Sequence, residues 1–163
     1  MTQSQAQQGV FHIWELDLGA IENNVVIVDL DGTLVASGQG TIVGEAKGVL
    51  ETLRTRNDVF LFSNHVDRER LARLAEEHGV SHISSLRRKP DPRILHDIPS
   101  SRHTQRVVIG DRAMTDGLFA HLIGARFIKV RRAKNGEESI ALRVVYWVDD
   151  AVFFFVRAIK RFT

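Results

Sequence analysis

A chain of 163 residues with 44% hydrophobic content has room for one domain of ordinary size, with a core that needs no outside staples. It contains no cysteine, which removes disulfide frameworks, Cys-type zinc sites and thiol nucleophiles together, leaves the chemistry to oxygen and nitrogen groups, and leans towards the cytoplasm. Lys and Arg exceed Asp and Glu by only 22 to 20, a net charge of +2 that gives no reason to expect a nucleic-acid partner.

Residues 1–9 are polar and read as a disordered N-terminus, without a basic segment followed by an apolar stretch of signal-peptide length. No run approaches the ~18 apolar residues of a membrane span, so a soluble domain over residues 10–163 is expected. Val10 to Leu18 mixes apolar and polar residues. Asn23 and Asn24 then lead into Val25-Val26-Ile27-Val28, β-branched throughout, which suits a strand buried on both faces and stops at Asp29. From Ile42 to Arg56, Val43, Ala46, Val49, Leu50 and Leu53 fall at helical spacing. Val59-Phe60-Leu61-Phe62 predicts a second buried strand, ending at Ser63. Arg68 to His78 predicts a helix with Leu71, Leu74 and Ala75 on one face and Gly79 closing it, followed by a short strand or loop around Val80 to Ile83. Val107-Val108-Ile109 predicts a third strand, ending at Gly110-Asp111. Thr115 to Leu122 reads as a helix closed by Gly124, and Arg126 to Val130 as a strand. The charged loop Arg131 to Glu138 turns the chain towards a last helix at about 146–162.

Strands alternating with helices imply an α/β fold: a single Rossmann-like domain, with a parallel sheet covered by helices on both faces. Such sheets place ligands at the carboxyl ends of their strands, so the polar strand ends should share one rim. At that rim, Asp29-Leu30-Asp31-Gly32-Thr33 puts two carboxylates two residues apart, where an extended backbone would aim both the same way. Gly32 permits a tight departure of the chain. One carboxylate can attack phosphorus while the other protonates the leaving oxygen and later activates water, the division of labour that covalent phosphoryl transfer requires.

The segment Asp29 to Thr33, DLDGT, resembles the first signature of the haloacid dehalogenase (HAD) superfamily, and three further signatures follow in order. Ser63 in LFSNH resembles the second, a strand-end hydroxyl that bonds the phosphoryl group. Lys89 in RRKPDP resembles the third, a cation offsetting the charge of nucleophile and phosphate. Gly110-Asp111 with Asp116, in VIGDRAMTD, resembles the fourth, the acidic pair that holds magnesium. Taken singly, the serine reads as a turn former, the Lys-Pro as a loop and the Gly-Asp as a helix cap. The resemblance spans about Val10 to Val130 and implies a magnesium-dependent phosphatase with Asp29 as nucleophile. The ion would be held by Asp29, Asp111, Asp116 and the main-chain carbonyl of Asp31. Backbone amides near Leu30 to Thr33, including those of Gly32 and Thr33, together with Ser63, Asn64 and Lys89, would cradle the transferring oxygens.

The stretches from Asp31 to Ser63 and from Ser63 to Lys89 leave no room for a cap domain. A site without a lid favours bulky or surface-presented substrates. The segment WELDLGAIENN running into VVIVDLDGTL resembles the phosphatidylglycerophosphate phosphatase-type, YqeG-like branch of subclass III, although Gly32 stands where that branch more often has asparagine. That resemblance implies a phospholipid head group as substrate, with a soluble sugar or nucleotide phosphate, or a non-catalytic binding module, as alternatives. In the last helix Val148, Val152, Phe155, Ile159 and Phe162 form a stripe, with Arg157, Lys160 and Arg161 near its end. It can complete the core, or it can dock on an anionic membrane surface or a second copy of the chain. His65 is a candidate substrate contact or a surface residue, and Arg112 a substrate contact or the partner of an acid.

Overall fold

The computed structural model describes residues 10–36, 40–42, 44–64, 67–133 and 147–151. The expectations for the N-terminal nine residues, for His65, and for most of the helix at 146–162 lie outside the described residues.

The first buried run forms β1, Asn24–Asp29, in the middle of a five-stranded parallel sheet. Its partners are β2, Asp58–Phe62, and β4, Gln105–Gly110. The short β3, Ser81–His82, and β5, Arg126–Lys129, form the edges, giving the order β3-β2-β1-β4-β5. Side chains alternate across the pleat. Val26, Val28, Val59, Leu61, Val107 and Ile109 therefore face one layer, and Val25, Ile27, Phe60, Phe62 and Val108 face the other. The first layer is packed by α1, Glu45–Leu53, through Ala46, Val49, Leu50 and Leu53, and by α2, Arg68–Glu77, through Leu71, Leu74 and Ala75. The second is packed by the 3-10 turn Pro92–Asp97 through Ile94 and by α3, Leu118–Leu122, through Phe119 and Ala120. Burial on both faces explains why β1 and its neighbours read as unbroken apolar runs.

Two helices differ from their sequence expectation. α1 starts at Glu45 rather than Ile42, because Gly44 takes a left-handed φ of 60° before it; Ile42 still packs into the core from the preceding loop. The helix expected from Thr115 opens instead as a wide π-type turn, Ala113–Gly117. The amides of Asp116 and Gly117 both donate to the Arg112 carbonyl, at 2.8 and 3.2 Å. Wide turns of this kind recur where a helix must aim a side chain inward, and Asp116 here is buried.

The strand order reverses direction between β1 and β4. In open α/β sheets the crevice at such a switch point is where ligands bind, beyond the carboxyl ends. Asp29 ends β1 and Asp111 follows β4, so the first and fourth signature regions flank that crevice.

Candidate active site

β1 and β4 pair in register, Val28 opposite Ile109, which brings the two strand ends level. Asp29 leaves one end, Asp111 the other, and the wide turn swings Asp116 back towards them. Gly110 makes this approach feasible: a Cβ there would lie 2.4 Å from Asp116 Cγ. Asp29, Asp111 and Asp116 each offer a carboxylate oxygen within 4.8 Å of the others, and all three are buried.

Lys89 enters this cluster from the loop after β3. Its Nζ donates to Asp29 Oδ1 at 2.6 Å and to the Phe62 carbonyl at 3.3 Å, and it lies 2.5 Å from Asp116 Oδ1. The lysine side chain is 2% exposed. Burial alone would drive the ammonium to lose its proton, but Asp116 and Asp29 outweigh it and push the Lys89 pKa above its ordinary value. Burial pushes Asp29 well above the carboxylate range, Lys89 opposes the rise, and Asp116 and Asp111 add to it. Asp111 is raised to about 7, by burial first and Asp116 next, against the pull of Arg132, Lys89 and Arg112.

These carboxylates carry more negative charge than Lys89 can offset. Asp111 shows the imbalance most clearly, since both of its oxygens are buried and neither accepts a hydrogen bond among the described residues. Arg132 Nε stands 3.8 Å from Asp111 Oδ2, an ion-pair distance too long for a hydrogen bond. Buried carboxylate oxygens without donors are costly. An oxygen-only donor set of this kind fits a hard divalent cation such as magnesium.

The Asp31 carboxylate is not one of these three and has partners of its own. Ser63 Oγ donates to Asp31 Oδ2 at 3.3 Å, and Arg70 of α2 reaches Asp31 Oδ1 at 3.5 Å. Arg70 and Arg132 are site residues that sequence reasoning missed. Each sits in a stretch rich in arginine, Arg68-Glu69-Arg70 and Arg131-Arg132, where pattern alone marks none of them out.

Three residues expected to contact substrate, Gly32, Thr33 and Asn64, form hydrogen bonds within the chain. The Gly32 amide donates to the Val35 carbonyl at 2.7 Å and the Thr33 amide to the Leu30 carbonyl at 3.3 Å, bonds that shape the loop. Asn64 is spent on the main chain of Lys89. Its Oδ1 accepts from the Lys89 amide at 2.7 Å and its Nδ2 donates to the Lys89 carbonyl at 3.0 Å. This reciprocal pair aims the lysine at Asp29. The Arg112 amide donates to Asp116 Oδ2 at 3.2 Å, which ties the residue after Asp111 to the second acid of the pair.

Between Asp31 and β2 the described residues hold only α1, and between Ser63 and Lys89 only α2 and β3. Among the described residues, no helix is long and apolar enough to cross a membrane.

A family model described as HAD-hydrolase-like matches residues 86–151, a span that includes Lys89, Asp111 and Asp116. The match supports a HAD-type hydrolase domain, in line with the parallel α/β sheet and the acidic cluster at its carboxyl edge. No curated protein and no solved structure matches the chain.

Proposed function

We propose that this HAD-like chain is a magnesium-dependent phosphomonoester hydrolase that works through a phospho-aspartate on Asp29. The observation that carries the reading is the meeting of Asp29, Asp111 and Asp116 within 4.8 Å around the buried Lys89 ammonium, at the switch point of the sheet. A solvated Asp-Gly turn needs no such company.

Asp29, Asp111 and Asp116 would hold magnesium together with the main-chain carbonyl of Asp31, and the bound ion would offset the charge of carboxylates and phosphate as a Lewis acid. The remaining work belongs to the chain. Asp29 attacks phosphorus, the bond from phosphorus to the leaving oxygen breaks, and Asp31 gives that oxygen its proton. Asp31 then takes a proton from water, whose oxygen attacks phosphorus and releases inorganic phosphate and the Asp29 carboxylate. Ser63 and Arg70 hold the Asp31 carboxylate where it can perform both transfers. Lys89 opposes the burial that favours a protonated Asp29 and offsets charge on the phosphoryl oxygens during attack. The Ser63 hydroxyl, at the same rim, would turn to a phosphoryl oxygen when substrate arrives.

For substrate, the short connections around the first three signatures support a site without a cap, open to a bulky or surface-presented phosphate monoester. A phospholipid head group such as phosphatidylglycerophosphate suits it, reached by peripheral contact with a membrane. The test is hydrolysis of p-nitrophenyl phosphate with magnesium by the wild type and Asp29→Asn. A panel follows, with phosphatidylglycerophosphate in liposomes beside soluble sugar and nucleotide phosphates. Activity in the wild type alone supports the hydrolase, and the preferred arm of the panel gives the substrate class. A wild type as inert as the variant on every arm would favour a binding module instead.

A further inference from the structure

Residues 147–151 are helical, and within them Asp149 points away from solvent, its side chain 2% exposed. Its carboxylate reaches back across the fold to the wide turn that carries Asp116. Oδ2 accepts from the Ala113 amide at 2.7 Å and Oδ1 from the Met114 amide at 2.8 Å. These are the first two amides of that turn, which no carbonyl within it can satisfy. Asp149 Oδ2 also lies 2.8 Å from Lys129 Nζ at the end of β5. Lys129 in turn donates to the main-chain carbonyl of Asp111 at 2.9 Å and stands 3.0 Å from Asp150 Oδ1.

One buried ion pair therefore holds both sides of the loop that presents the acidic pair. Lys129 fixes the backbone of Asp111, and Asp149 fixes the start of the turn that delivers Asp116. Burying an Asp-Lys pair adds little net stability, because desolvation of both charges cancels much of their attraction. Its value lies in where it puts the backbone, and a centre of three carboxylates with a cation is sensitive to displacements of a fraction of an ångström.

We propose that Asp149 is a positioning residue for the acidic centre, acting with Lys129 to hold Asp111 and Asp116 at cation-binding separation. The proposal rests on the hydrolase reading for its functional meaning, but its test does not require turnover. Manganese binding to the intact chain, followed by electron paramagnetic resonance, is compared for wild type, Asp149→Ala, Asp149→Asn and Asp111→Asn, with thermal unfolding recorded for each. Magnesium activation of p-nitrophenyl phosphate hydrolysis is measured in parallel.

Asp149→Ala should weaken manganese binding at least ~10-fold and raise the magnesium concentration for half-maximal activity to match. KM for p-nitrophenyl phosphate at saturating magnesium should stay within about twofold of wild type, because Asp149 does not touch substrate. Asp149→Asn retains an acceptor for one amide and should fall between; if the alanine variant does not fold, the asparagine variant decides alone. Wild-type manganese affinity in the folded variants, with only the unfolding temperature lowered, would overturn the proposal. A wild type that binds manganese through Asp111 but hydrolyses nothing would sink the hydrolase reading and leave the affinity comparison to judge Asp149. A wild type that binds no manganese would overturn both.

Discussion

Gly32 packs its bare Cα against the carboxylate of Asp111: a Cβ on residue 32 would lie 2.5 Å from Asp111 Oδ2. The backbone there has a φ of 89°, which most side chains avoid. The segment that carries Asp29, the proposed nucleophile, thus also supplies the gap that lets Asp111 come close. Gly32→Ala should cost about 1–3 kcal/mol of stability and displace Asp111, lowering phosphatase activity at least ~10-fold. Gly32→Asn separates the two causes, since asparagine tolerates positive φ better but meets the same carboxylate. Ala should lose more stability and more activity than Asn, the residue more common at this position in the branch the chain resembles. Thermal unfolding beside steady-state kinetics checks this.

Lys89 is the counter-charge of the buried centre. Lys89→Met removes the ammonium 2.6 Å from Asp29 and 2.5 Å from Asp116 and leaves both acids without it. Breaking a buried pair from one side costs about 3–5 kcal/mol. The metal-free variant should therefore unfold at a distinctly lower temperature, with magnesium recovering part of the difference. Activity should fall by at least ~100-fold even at saturating magnesium. Lys89→Arg should not rescue it, because the broad guanidinium does not fit a side-chain site that is 2% exposed.

The raised pKa of Asp111 makes a pH prediction for the metal-free protein. Its carboxyl ionises at about 7 in the folded state against 3.8 as an isolated group. Between those values the folded state holds a proton that the unfolded state has lost, so stability falls as pH rises. Asp29, also raised, acts in the same direction. With a chelator present, the unfolding temperature should drop as pH is taken from about 4 through about 7. With magnesium present the drop should shrink or vanish, since the ion favours the ionised carboxylates. A profile indifferent to magnesium would argue that the three acids hold no cation.

Much of the fold was legible in the sequence for one physical reason. β1, β2 and β4 are buried on both faces and so appear as unbroken apolar runs, each stopping at a polar residue. That pattern marked the rim, and the order of the signatures assigned Asp29, Lys89, Asp111 and Asp116 to it. Elements held by tertiary contacts were harder to read. The turn Pro92–Asp97 covers the sheet mainly through the buried Ile94, and β3 is two residues long. The wide turn before α3 exists because both Asp116 and Gly117 donate to Arg112, which no periodicity encodes. Long-range charge pairs were least visible. Arg70, Lys129 and Asp149 look in sequence like solvated residues, and only the fold brings them to Asp31 and to the Asp111 loop. Asn64 follows Ser63 in sequence, but its bonds to the Lys89 backbone are set by the fold and carry no sequence signal.

The proposed mechanism gives Asp31 two proton transfers, and they separate experimentally. Asp31→Asn should abolish turnover of substrates with poor leaving groups, which need protonation. It should still permit slow attack on p-nitrophenyl phosphate, whose leaving group departs as an anion. Water activation is lost as well, so phosphorylated enzyme should accumulate with p-nitrophenyl phosphate and not with the poorer leaving groups. Arg70→Gln removes only a partner of Asp31 and should reduce kcat by about 10-fold with KM little changed. Rapid-quench detection of phosphorylated protein, with the two substrate types side by side, distinguishes these outcomes.

The central claim is that phosphate passes through the Asp29 carboxylate. The most direct measurement is chemical trapping: wild-type protein is mixed with p-nitrophenyl phosphate and magnesium, quenched in acid within its first turnover, and treated with borohydride. An acyl phosphate is reduced there to the alcohol, which peptide mass spectrometry locates. Reduction at residue 29 is the predicted result, absent without substrate and absent in Asp29→Asn. Hydrolysis proceeding at full rate with residue 29 unmodified, or with the mark on another carboxylate, would contradict the account.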